Sequence, residues 1–204
     1  MKILVVAALA NELNRIKLWI KWADIRANID IDYLCTGVWN YEVIYSLEEY
    51  LKQYPEPVFI FNIWLCWYWN STDIELSNPI QIASIINIHS EKEIIIPPFL
   101  HLEPLRTCFS SESIVFKKPI LNKEICTTDD EMFFDMESRW IEFIATKHKF
   151  PCVILKVPFD LIWRETKALL DNKQEFEKKL DVLKWLPYKN YLQKIIDWMK
   201  QQNL

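Results

Sequence analysis

Asp135-Met136-Glu137-Ser138 opens an amphipathic helix, and the strand Pro151-Cys152-Val153-Ile154-Leu155-Lys156-Val157-Pro158-Phe159-Asp160 follows it. This unit of helix and strand decides the fold. Met136, Trp140, Ile141 and Ile144 recur at helical spacing up to Lys149, and Asp135 is the expected N-cap. Cys152 to Val157 is an apolar run of the kind a strand needs when both its faces are covered. Lys156 interrupts it. A buried ammonium has to be paired, so Asp160 or Glu137 is expected beside it.

The same alternation runs through the first part of the chain. Lys2 to Ala8 reads as a buried strand, and Ala10 to Trp22 as a helix with Leu13, Ile16, Trp19 and Ile20 on its apolar face. Ile29 to Cys35 reads as a strand ending at Thr36-Gly37. Asn40 to Gln53 then carries Ile44, Leu47 and Leu51 at helical spacing, and Pro57 to Cys66 is again a continuous apolar strand, running into the aromatic cluster Trp64 to Trp69. Strands and helices in strict turn predict an α/β fold, specifically a three-layer α/β/α domain with a mixed, mainly parallel central sheet, spanning residues 1–204 as one domain. The middle predicts shorter strands at Gln81 to His89, Glu93 to Ile96, Ser113 to Lys117 and Glu124 to Thr127, punctuated by Pro97-Pro98, Pro104 and Pro119. Toward the end, Glu175 to Leu183 is weakly helical. Tyr188, Leu192, Ile195, Ile196 and Met199 define a last amphipathic helix behind Pro187.

Composition excludes several classes of function. Of 204 residues 51% are hydrophobic and 25% charged, with a net charge of −4. That balance suits a globular protein and does not suit a surface built to neutralise phosphates, so no nucleic-acid partner is expected. No apolar run reaches the length of a membrane span and no secretory cleavage site follows the first strand, so the expectation is a cytoplasmic protein without membrane association. The five cysteines are scattered and mostly within apolar strands, which predicts buried reduced thiols. His89, His101 and His148 stand at no ligand spacing, so no metal site and no cofactor are expected. Gly37 is the only glycine beside ten tryptophans, which argues against a glycine cradle for phosphate.

Ligands of open α/β sheets bind beyond the carboxyl ends of the strands. Three acids fall at such places: Glu12 after the first strand, Glu137 at the head of the helix after the Glu124 to Thr127 strand, and Asp160 just past the Cys152 to Val157 strand. A plainer explanation exists for each, since acids favour helix N-termini and caps. Ser110-Ser111-Glu112-Ser113 reads as a polar turn, Thr127 to Glu131 as an acidic loop, and the Lys173 to Lys184 segment as a solvated face of mixed charge.

Met1 to Glu12, Thr36-Gly37-Val38, Val58 to Ile63, Asp135 to Ser138 and Lys156 to Asp160 fall in the order found in the nucleoside phosphorylase and nucleosidase superfamily. The chain resembles its bacterial nucleosidases acting on methylthioadenosine, S-adenosylhomocysteine or futalosine. That resemblance implies hydrolysis of the N-glycosidic bond of a purine nucleoside or related compound, as part of nucleoside catabolism, by a homodimer. It implies that Glu12 is the base acting on water and that Asp160 is the general acid on the leaving base. Met136 and Glu137 would hold the ribose, and Thr36, Gly37, Trp64 and Trp67 would line the substrate site. The chemistry requires such a division, because the bond breaks through an oxocarbenium-like sugar and needs an acid on one side and a base on the other.

The chain also departs from that pattern. Trp64-Leu65-Cys66-Trp67 stands where the family has a glycine loop, Trp39 where it has a glycine, and Lys156-Val157-Pro158-Phe159 where arginine and serine lead to the aspartate. Phosphorolysis would need an oxyanion site, and the sequence offers none. A competing expectation is a catalytically inactive relative, its pocket closed by Trp39, Trp64 and Trp67, that serves in binding or assembly. A third is a nucleotide-modifying enzyme using the same carboxylates on a larger substrate.

Overall fold

The computed structural model describes residues 2–22, 29–56, 58–69, 79–97, 100–112, 132–161 and 180–202. β1 (Lys2–Ala7) is buried from Ile3 onward and pairs in parallel with β2 (Asp30–Cys35) on one side and β3 (Val58–Trp69) on the other. Between them lie α1 (Ala10–Trp22) and α2 (Asn40–Gln53), at the positions that the apolar spacing predicts. β3 runs three residues beyond the expected end at Cys66, so the aromatic stretch is strand rather than loop.

That extension changes the topology. β3 pairs in parallel with β8 (Cys152–Leu161), and its tip, Trp67 to Trp69, pairs antiparallel with β7 (Met132–Asp135). β8 meets β4 (Ile80–Asn87), β4 meets β6 (Leu105–Ser110), and β6 meets β7. Five strands, β3, β8, β4, β6 and β7, thus close on themselves, with β2 and β1 extending from β3 and the short β5 (Glu93–Ile95) from β4. The sheet is mixed. Its β1–β2, β1–β3, β3–β8, β4–β6 and β6–β7 ladders are parallel, and the rest antiparallel.

Alternate residues of the buried strands serve two apolar clusters, as a period of two dictates. Ile3, Val5, Phe59, Phe61, Val153 and Leu155 pack with α1, with the 3-10 turn Leu180–Trp185 and with α4 (Tyr188–Gln201). Leu4, Val6, Ile60, Cys152 and Ile154 pack with α2 and with α3 (Ser138–His148).

Several expectations need correction. α3 starts at Ser138 with Glu137 at the cap, two residues later than predicted, and β7 is the strand that leads into it. β6 and β7 have no counterpart in the sequence reading, while the expected strands 113–117 and 124–127 and the loop 127–131 lie outside the described residues. So does most of the segment from Glu175 to Leu183. Ser110 ends β6, and Ser111 follows it in the interior instead of forming a polar turn. β8 continues through Asp160, which therefore lies within the strand, opposite Trp67 across a bulge that absorbs Phe159. Cys66, Cys108 and Cys152 are buried free thiols as expected, but Cys35 is exposed.

Candidate active site

Glu12 lies in the first turn of α1, just past the carboxyl end of β1, because the strand must turn at Ala8-Leu9 before the helix can begin. Its carboxylate is buried and accepts a hydrogen bond from the Leu9 N–H at 3.4 Å. Burial pushes its pKa up to about 8 against the pull of that N–H and of the Lys156 ammonium. Glu137 caps α3 in the same interior. Its carboxylate accepts the Met136 N–H at 3.2 Å. Burial first, then Asp135, and to a smaller degree Glu12, push it up to about 8, while Lys156 opposes them. Glu137 thus feels the charge of Glu12, from the other half of the chain.

The Lys156 ammonium that acts on both belongs to a buried ion pair. Lys156 Nζ is 2.6 Å from Asp135 Oδ2, and both side chains are almost wholly excluded from solvent. The same Asp135 oxygen accepts the Ser138 N–H at 3.0 Å and a short hydrogen bond from the Ser138 hydroxyl, so it ties the start of α3 to β8. Burial alone would lower the Lys156 pKa. Asp135, then Glu137, outweigh it and hold the lysine above its ordinary value. The partner described for Lys156 is therefore Asp135, where the sequence reading names Asp160 or Glu137. Asp135 is not the N-cap itself, although its carboxylate still satisfies the first helical N–H.

The other predicted residues are placed by burial, backbone hydrogen bonds and ladder register. Met136 is buried. Thr36 is buried and its N–H donates to the Ala7 carbonyl at 2.9 Å, while the Gly37 N–H donates to the Ala8 carbonyl at 3.0 Å, fastening the β2–α2 turn beside the end of β1. Gly37 has φ +82°, the left-handed conformation that a glycine tolerates. Trp64 is buried, directly opposite Lys156 in the β3–β8 ladder, with the ammonium 5.5 Å from its ring centre. Trp67 is partly buried. Trp39 is 50% exposed at the start of α2, so it does not belong to the aromatic plug that the sequence suggests. The backbone of Asp160 is fixed by its pairing with Trp67; its side chain lies outside the described residues.

Sequence reasoning missed Asp135 as an ion-pair partner, and Asn62. Asn62 is wholly buried on β3, donates to the Val6 carbonyl at 3.0 Å, and has no partner for Oδ1 among the described residues. A lone amide in the apolar run Val58 to Ile63 was the signal available. Among the described residues no group of side chains could hold a metal ion, and no helix is long and apolar enough to cross a membrane.

No family model matches the chain, and no curated protein matches it. Solved structures do. The chain is similar to the MTAN of Chlamydia trachomatis, solved as an Asp-to-Asn variant, with 20% identity over 93% of this chain and 98% of that one and a TM-score of 0.63. It is similar to a futalosine hydrolase mutant of Helicobacter pylori, with 12% identity, coverage of 97% and 99% and a TM-score of 0.70. An Asp-to-Asn MTAN of the same organism, with 5'-methylthioadenosine in its active site, matches at 11% identity, coverage of 96% and 98% and a TM-score of 0.70. The chain has the fold of these solved nucleosidase structures.

Proposed function

We propose that the chain hydrolyses the N-glycosidic bond of a purine nucleoside or a related compound. Glu12 acts as the base on water, Met136 and Glu137 hold the sugar, and Asp160 protonates the departing base. The observation that carries the proposal is the burial of Glu12 and Glu137, one from each half of the chain, in the field of the buried Lys156 ammonium. Carboxyls raised to about 8 are the poised acids and bases that glycosidic cleavage uses near neutral pH. Thr36, Gly37, Trp64 and Trp67 complete the substrate site. The neighbours' names support a nucleoside as the ligand.

The proposal extends to a single three-layer domain acting as a cytoplasmic homodimer in nucleoside catabolism. Helices α1 and α4 sharing one apolar cluster, and α2 and α3 the other, support the layering. The test is release of free base from a panel of purine nucleosides, followed chromatographically. Release that Glu12→Gln and Asp160→Asn both abolish is the expected result, and no release from any member overturns the proposal.

One observation favours a second reading, a catalytically inactive relative that binds without turnover. Trp64 fills buried space beside Lys156, in the stretch Trp64 to Trp67 that stands where the family has a glycine loop. A thermal shift with nucleosides in the absence of base release would establish that reading instead.

A further inference from the structure

The buried group contains four ionisable side chains from four places in the fold: Glu12 on α1, Asp135 at the end of β7, Glu137 at the cap of α3 and Lys156 on β8. The thiols of Cys66 on β3 and Cys108 on β6 face the same charges, and burial holds both above their ordinary range, so they remain neutral. The register Val6–Asn62–Ile154 sets Lys156 level with the turn at Ala8 that leads to Glu12, and its partner Asp135 stands two residues before Glu137, so one ammonium serves three carboxyl groups. Asp135 is committed to it by the 2.6 Å ion pair and by the two hydrogen bonds from Ser138. Glu12 and Glu137 are left to share whatever of the lysine's field the pair does not cancel.

We infer that Lys156, clamped by Asp135 and lying against the Trp64 ring, is a positioning residue that sets how many protons the Glu12 and Glu137 carboxyls hold. The reasoning is Coulombic. In an interior without solvent screening, a fixed cation lowers the cost of a negative charge on each neighbouring carboxyl, and a fixed anion raises it. Lys156 acts on both glutamates in the first sense and Asp135 on Glu137 in the second. Their opposition determines whether the site presents a carboxylate able to take a proton from water or two neutral acids. The Trp64 indole and the ion pair together fix the ammonium in place, so the field has a defined direction. The inference deepens the proposed function by assigning a task to a lysine and an aspartate that the glycosidic chemistry itself does not use.

The experiment is a pH titration of the full chain with its glutamate carboxyl carbons labelled with carbon-13, the Glu12 and Glu137 signals being assigned with Glu12→Gln and Glu137→Gln. Lys156→Met should raise both midpoints, by about one pH unit or a tenfold change in proton affinity. Asp135→Asn should lower the Glu137 midpoint and move Glu12 less, and the double variant should place Glu137 between the two single variants. Lys156→Arg should restore values near those of the native chain. Midpoints that do not respond to either substitution, or that fall in Lys156→Met, overturn the inference. Where Lys156→Met does not fold, Asp135→Asn and Lys156→Arg decide it alone, since an unmoved Glu137 midpoint in Asp135→Asn is already a refutation. The readout needs no turnover. A chain that releases no base but titrates as described loses the proposed reaction and keeps this inference.

Discussion

Gly37 and Glu42 leave no room for a side chain between them: a Cβ at Gly37 would run into the Glu42 carboxylate, whose Oε2 already accepts the Trp39 N–H at 3.2 Å. The constraint is double, because Gly37 also holds φ +82°. Gly37→Ala must accept a left-handed backbone costing about 1–2 kcal/mol and must displace a capping carboxylate worth about 1 kcal/mol. The expected loss is about 2–3 kcal/mol, read as a lower urea midpoint. Glu42→Ala in the same chain should recover none of the backbone part. An unchanged midpoint in Gly37→Ala would show that the turn is not strained.

The two glutamates predict how stability depends on pH. Both have folded-state pKa values raised from 4.5 to about 8, so the folded chain keeps protons that the unfolded chain releases. Stability from this source is complete below about pH 4.5, declines as the pH rises, and is lost once it passes about 8. The loss is on the order of a few kcal/mol for each glutamate. Glu12→Gln or Glu137→Gln removes one share of it. Each variant should melt close to the native chain at pH 5 and clearly above it at pH 9. Parallel melting curves across that interval would refute the assignment.

Trp39 and Trp64 should respond in opposite ways to truncation. Trp64 is 7% exposed, so Trp64→Ala leaves a large cavity beside a buried ammonium and should cost about 3–5 kcal/mol. Trp39 has half its surface in solvent, and Trp39→Ala should change stability by less than about 1 kcal/mol. Chemical denaturation of the two variants side by side is the measurement. Equal costs would mean that Trp39 packs more firmly than its exposure implies.

Much of this architecture was legible because its signals are local. The helix Asn40–Gln53 and the helix behind Pro187 lie where apolar spacing places them, β1 lies in the buried run, and β2 lies in the alternating stretch from Ile29 to Cys35. What the spacing could not supply was closure. β6 and β7 are short, and their value comes from partners far along the chain, as when Cys108 pairs Phe133 or Trp67 pairs Phe134. The extension of β3 through Trp69 was hidden for a related reason, since an aromatic run reads equally as loop or core until its ladder partners are known. At the site, a buried lysine announced the need for a partner, and only the β7–α3 junction decided that Asp135 is the one described. Trp39 misled because bulk was read as burial.

A cluster at the opposite end of the sheet separates stability from the site. Asp32 Oδ2 accepts the Lys2 ammonium at 2.8 Å and the Tyr50 hydroxyl at 2.6 Å, near the amino ends of β1 and β2, whereas Glu12 lies past the carboxyl end of β1. Lys2 first, then Tyr50, hold the Asp32 carboxyl below its ordinary value. A depressed carboxylate contributes stability above its unfolded pKa and loses it as the pH falls through the folded one, the reverse of the glutamates. Asp32 is partly exposed, so solvent screening limits Asp32→Asn to a cost of about 1 kcal/mol or less, and Tyr50→Phe to about 1 kcal/mol. Both variants should lower the melting temperature slightly at pH 7, and the Asp32→Asn difference should vanish toward pH 3. Any base release by the native chain should persist in both. If release falls with them as it does with Glu12→Gln, the loss at Glu12 reflects general destabilisation, and the assignment of Glu12 as the base fails.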